Sequence, residues 1–107
     1  MKEQDWLELQ EEAPRAVHAC LLHFQQRYIG LWQSRLLDAE AVIAYLEAQG
    51  FSIAVSTFGI PNRKDWYCEV YRYGELLKHE RDFAGYELAA REAIVTAFLE
   101  LENELDP

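Results

Sequence analysis

The chain has 107 residues, half of them hydrophobic and 13% aromatic, and a formal net charge of −9. That length is one domain's worth, and the apolar content offsets enough ordering entropy to exclude wholesale disorder. No apolar run approaches the roughly 20 residues of a membrane span.

The first residues, Met-Lys-Glu-Gln-Asp-Trp, lack the apolar stretch of a signal peptide. A cytoplasmic protein is therefore expected, with Cys20 and Cys68 as reduced, buried thiols.

The charge is concentrated at the two ends. Residues 1–12 sum to −4, residues 98–107 to another −4, and the 85 residues between them to −1. Acidic ends on a near-neutral body argue against nucleic acid as a partner, because a phosphate backbone needs a basic face that releases counterions. No membrane partner is expected either. Solvated charge that maintains solubility is the favoured reading. An acidic nucleic-acid mimic is the sharper alternative.

Residues 1–13 form an acidic N-terminal segment, read as a short helix anchored only by Trp6, Leu7 and Leu9. Pro14 suits the first turn of a new helix. From there Val17, Cys20, Leu21, Phe24, Tyr28, Leu31 and Trp32 recur at spacings of three and four, one apolar stripe about four turns long, with Gly30 weakening its last turn. Asp38 then reads as the N-cap of a helix over 39–49 that presents Val42, Ile43 and Leu46 on one face and stops at Gly50.

Period two takes over at Phe51. Phe51, Ile53 and Val55 alternate with Ser52, Ala54 and Ser56 in a half-buried strand that Gly59-Ile60-Pro61-Asn62 breaks, in a loop ending at Arg63, Lys64 and Asp65. Residues 66–73, aromatic and β-branched, form the next strand. Gly74-Glu75 fits a two-residue type II′ hairpin with glycine first, which pairs Tyr73 with Leu76. That register places Trp66, Cys68 and Val70 on one face with Leu77, His79 and Phe83. It places Tyr67, Glu69, Tyr71 and Tyr73 on the other with Leu76, Lys78 and Glu80. The last element is a helix with Tyr86, Ala90, Ala93, Ile94, Ala97, Phe98 and Leu101 as its stripe.

The expected fold is thus a single α+β domain over 1–107, in the order α-α-β-β-β-α. A helical region at 14–50 and a C-terminal helix within 84–105 pack a three-stranded antiparallel meander at 51–83.

The sequence carries no Gly-x-Gly-x-x-Gly, Walker loop, Gly-x-Ser-x-Gly or Cys-x-x-Cys, and no metal or cofactor is expected. His18, Cys20 and His23 are its only cluster of metal-capable side chains. On a helix His18 diverges from the other two, and the remaining pair falls short of a zinc ligand set. Cys20 and His23 also make the minimal pair for a thiol nucleophile. Cys20 lies on the apolar stripe, however, where burial keeps a thiol protonated. Glu69 and Glu80 fall opposite each other in the expected register and form a candidate carboxylate pair. His79 is read as a hydrogen-bonded sheet residue.

Tyr67, Tyr71 and Tyr73 with Leu76 form the best candidate for a binding surface, since tyrosines bury much area at little entropy cost. The favoured arrangement has the amphipathic helix from Pro14 covering this face in a three-layer sandwich. Otherwise the face is left for a homodimer or another protein. The order β-β-β-α also occurs in double-stranded-RNA-binding domains, but these need lysines at the start of the last helix. Here that segment runs Ala84-Gly85-Tyr86-Glu87-Leu88-Ala89-Ala90-Arg91-Glu92.

The run Trp66-Tyr67-Cys68-Glu69-Val70-Tyr71 through Gly74 to Phe83, followed by Glu87, Ala90, Ala93-Ile94 and Ala97, resembles small uncharacterised proteins of phage and prophage regions. The likeness spans residues 38–104. It implies an α-β-β-β-α sandwich of mobile-element origin and no catalytic residues. The expected function is a non-catalytic protein–protein interaction or accessory module. The alternative to it is a small enzyme or ligand-binding domain using His79, Glu69 and Cys20.

Overall fold

A computed structural model describes residues 1–58 and 65–105. The elements are α1 (Glu3–Glu12), α2 (Pro14–Arg27), α3 (Trp32–Leu36), α4 (Ala39–Ala48), β1 (Phe51–Thr57), β2 (Trp66–Arg72), β3 (Glu75–Phe83) and α5 (Tyr86–Leu105). The strands form an antiparallel sheet in the order β1-β2-β3, so the expected α+β class and element order hold. No helix among the described residues is long and apolar enough to cross a membrane. The loop expected at Gly59-Ile60-Pro61-Asn62, with Arg63 and Lys64, lies outside the described residues.

Local chemistry sets most boundaries. The Asp38 carboxylate accepts from the Glu40 N–H at 3.1 Å, the N-cap expected of it. Gly50, at φ +99°, ends α4 and delivers the chain into β1. The long apolar stripe from Val17 is cut at Tyr28, the C-cap of α2, and Gly30 takes φ +83°. Leu31 consequently leaves the stripe and is 63% exposed, and Trp32 opens the separate α3. The Trp6 indole N–H donates to the buried Leu36 carbonyl at 2.9 Å, which ties α1 to the end of α3.

The central helix is α5. It touches all three strands on one side and α1, α2 and α4 on the other. Ala89, Ala90, Ala93 and Ala97 are fully buried, and their small side chains allow close approach from both directions. Phe98 fills the middle, with ring centroids 5.6 Å from Trp6 and 6.4 Å from Tyr45. The helix from Pro14 therefore packs behind α5 and not over the tyrosine face. The expected covering of that face is overturned, because α5 already occupies the only apolar face the sheet offers.

The hairpin also differs from expectation. Tyr73 and Gly74 are its two central residues, at φ +49° and +85°. Positive φ at both positions is the type I′ turn, whose twist matches the flanking strands. Arg72 therefore pairs with Glu75, and Tyr71 with Leu76. Two irregularities in β3 then each shift the pairing, so Glu69 faces His79 and Cys68 faces Glu80, yet Trp66 still meets Phe83. Glu69 and Glu80 are not opposite each other. Lys78 and Glu80 turn toward α5, where Lys78 Nζ lies 2.5 Å from the Glu92 carboxylate. His79 joins the tyrosine face.

Tyr73 leaves that face. Its ring stacks on the Arg72 guanidinium at 4.4 Å, with Phe51 on the other side at 4.3 Å. The same guanidinium donates to the Gln49 carbonyl and, at 2.7 Å, to Glu104. One buried arginine thus ties the hairpin, the end of α4 and the end of α5 together.

Glu102 caps α2 from a distance. Ala13, at the N-cap, offers no side-chain acceptor, and the Glu102 carboxylate instead accepts from the Arg15 and Ala16 N–H groups at 2.9 Å each. The Arg15 side chain adds an ion pair at 3.0 Å. The Ala16 N–H first, and then Arg15, hold the Glu102 carboxyl below the usual carboxylate range. A depressed folded-state value gives stability that is present above the unfolded carboxyl value, about 4.3, and lost as pH falls through the folded one. Glu102→Gln should therefore lower the urea midpoint at pH 7, and the difference from wild type should vanish in strong acid. An equal difference at both pH values would refute the charged cap.

Candidate functional site

The face of the sheet turned away from α5 is built from alternate residues of three strands. β1 contributes Ser52, Ala54 and Ser56, all small and exposed, and β2 contributes Tyr67, Glu69 and Tyr71. Leu76, 55% exposed, and His79 come from β3. Ser52 pairs with Tyr71, Ala54 with Glu69 and Ser56 with Tyr67. The tall β2 side chains accordingly stand beside a low shelf along β1.

The side chains on this face hold one another in place. The Tyr71 hydroxyl donates to Glu69 Oε2 at 2.7 Å, and this bond raises the Tyr71 pKa. The other carboxylate oxygen lies 3.4 Å from His79 Nδ1. Tyr67 stacks on Phe58 with ring centroids 4.2 Å apart and lies 6.2 Å from the His79 ring. The Arg81 guanidinium covers Phe58 at 4.5 Å. Of the residues expected at the binding surface, the structure thus brings together Tyr67, Tyr71 and Leu76 and separates Tyr73. Phe58, His79 and Arg81 were missed. Phe58 follows the last β1 residue, and the other two were displaced by the bulges in β3.

The residues considered for chemistry are divided between the two sides of the molecule. Glu69 and His79 meet on the open face. Cys20 is fully buried in the helical layer, where desolvation pushes its thiol up to about 12. Cys68 lies on the sheet's inner face, its thiol raised to about 11, chiefly by burial. Both are free thiols. His23 packs on Tyr45, ring centroids 5.1 Å apart. No three His, Cys, Asp or Glu side chains among the described residues are placed to hold a metal ion.

A second surface is apolar. Trp6, Leu7, Leu21, Leu36 and Leu37 line a groove of about 510 Å³ among α1, α2 and α3. Periodicity does not reveal this groove, because Leu36 and Leu37 fall outside every helical stripe.

No protein-family model matches the chain, and no curated protein or solved structure matches it.

The buried, protonated thiols should be inert. A chromogenic disulfide added to the native protein should titrate neither cysteine, and both should react once the chain is unfolded. Rapid reaction of Cys20 in the native state would restore the nucleophile reading.

Proposed function

We propose that the chain is a non-catalytic interaction module that binds an apolar surface of a partner protein on the open sheet face. The observation that carries this reading is the mutually braced set of Phe58, Tyr67, His79, Glu69 and Tyr71, on a face that no other element among the described residues covers. Aromatic side chains already fixed by their neighbours lose little further freedom on binding, so more of their contact energy is realised as affinity.

Charge supports the same surface. The acidic ends belong to α1 and the end of α5, whereas the open face sets Glu69 against His79 and Arg81. A partner approaching there meets a nearly balanced field. Several carboxylates at the ends already have internal partners: Asp5 accepts from the Lys2 N–H and pairs with Arg91, Glu102 with Arg15 and Glu104 with Arg72. That engagement supports a structural and solvating role for the acidic ends over nucleic-acid mimicry. The distance in the fold between Cys20 and the Glu69–His79 pair supports binding over catalysis.

Capture from native lysate by a tagged copy tests the reading. Buried tyrosines at interface centres contribute about 2 kcal/mol each or more, so Tyr67→Ala/Tyr71→Ala should weaken the captured complex by at least about tenfold. Cys20→Ser, on the far side of the fold, should leave capture intact, with circular dichroism confirming that every variant is folded. Unchanged capture by the double variant refutes this site. Loss through Leu7→Asp instead would move binding to the apolar groove.

A further inference from the structure

The two edges of the sheet differ in how well they are protected. β3 carries Glu75, Lys78, His79, Glu80, Arg81 and Asp82, and its pairing with β2 is irregular at two points, with Asp82 at φ +68°. Charged side chains and bulges are the usual means by which an edge strand is kept from pairing with another chain. β1 has none of these. Its sequence, Phe-Ser-Ile-Ala-Val-Ser-Thr, contains no charge and no proline, and its register with β2 is unbroken from Phe51–Arg72 to Thr57–Trp66. Among the described residues its backbone pairs with β2 alone. Ile53 and Val55, on the inner face, are only half-buried, as side chains at an unfinished edge would be.

We propose that β1 pairs antiparallel with β1 of a second copy of this chain, about a two-fold axis at Ala54. The occupant is a second copy because β1 complements itself. With Ala54 opposite Ala54, Ile53 meets Val55, Ser52 meets Ser56 and Phe51 meets Thr57, and all seven residues of the strand are paired. Only a register centred on a residue keeps inner face with inner face, since successive side chains alternate between faces. Centring on Ala54 gives the longest overlap of that kind. The inner-face pair is β-branched on both sides, and the pair on the axis is small enough for close approach.

Charge points to the same occupant. In a chain that is 27% charged with a net −9, residues 48–62 are the longest stretch without an Asp, Glu, Lys or Arg. Two acidic copies can meet there without setting charge against charge along the strand. The product is a closed, two-fold dimer with one continuous six-stranded sheet. Because the axis is perpendicular to the sheet, both tyrosine rows lie on the same side. The dimer does not depend on what the tyrosine face binds.

Cysteine placement tests the register directly. Ala54→Cys should form a disulfide-linked dimer under mild oxidation, since its partner lies on the axis. Ser52→Cys alone should not, because the two copies of residue 52 stand four residues apart, roughly 13 Å. A mixture of Ser52→Cys and Ser56→Cys chains should cross-link. The buried native thiols contribute no background. In sedimentation velocity at tens of micromolar the wild type should run as a dimer. Ala54→Lys, which adds a cation at an exposed position and sets two opposite each other on the axis, should run as a folded monomer. Tyr67→Ala/Tyr71→Ala should remain dimeric, so this result and failure at the tyrosine face can be told apart. A monomeric wild type, a dimer that survives Ala54→Lys, cross-linking by Ser52→Cys alone, or growth beyond two copies would each overturn the proposal.

Discussion

The fold depends on the burial of α5 on two sides at once. A helix pressed between a sheet and a layer of other helices needs small side chains where neighbours approach and large ones where space remains. Ala89, Ala90, Ala93 and Ala97 meet the first need and Ile94 and Phe98 the second, all with essentially no exposure. The inner face of the sheet and the apolar faces of α1, α2 and α4 are all turned toward this one helix. Among the described residues no helix packs on the other side of the sheet, where the tyrosine row stands.

The polar groups reinforce the same division. Glu102 caps α2 across the domain, and Arg72 gathers the hairpin, α4 and the end of α5 between two aromatic rings. Acidic residues near both ends of the chain thus serve the helical side of the molecule. The open face keeps one carboxylate, Glu69, which Tyr71 and His79 hold in place. The aromatic face is close to neutral in an otherwise acidic protein, so another protein can approach it without strong repulsion. The uncharged β1 edge extends that quiet region to the side of the sheet.

The sequence was legible where a single local rule decides the outcome. Asp38 and Gly50 bound α4 as capping chemistry requires, period-two alternation located β1, and aromatic and β-branched content located β2. It was illegible where two rules compete. Both Tyr73-Gly74 and Gly74-Glu75 satisfy a two-residue turn. The I′ form prevailed because Tyr73 tolerates φ +49° while its ring stacks on Arg72. The two shifts in β3 leave no sequence signal beyond Asp82, one of the residue types that accept positive φ. His79 therefore changed faces although Trp66 and Phe83 stayed paired. The stripe from Val17 to Trp32 had the right spacing but ran through Gly30, where the chain turns. Whether a helix covers the tyrosine face depends on tertiary competition for α5, and periodicity does not record that competition.

Packing of α5 on the inner face of the sheet leaves the opposite face uncovered among the described residues. Hydroxyl-radical footprinting of the purified protein tests it most directly. Tyr71 and Leu76 should be oxidised at rates typical of accessible side chains, while Trp6, Tyr45 and Phe98 stay protected. Protection of Tyr71 and Leu76 to the level of Tyr45 would mean that a helix covers the face, and would contradict the account.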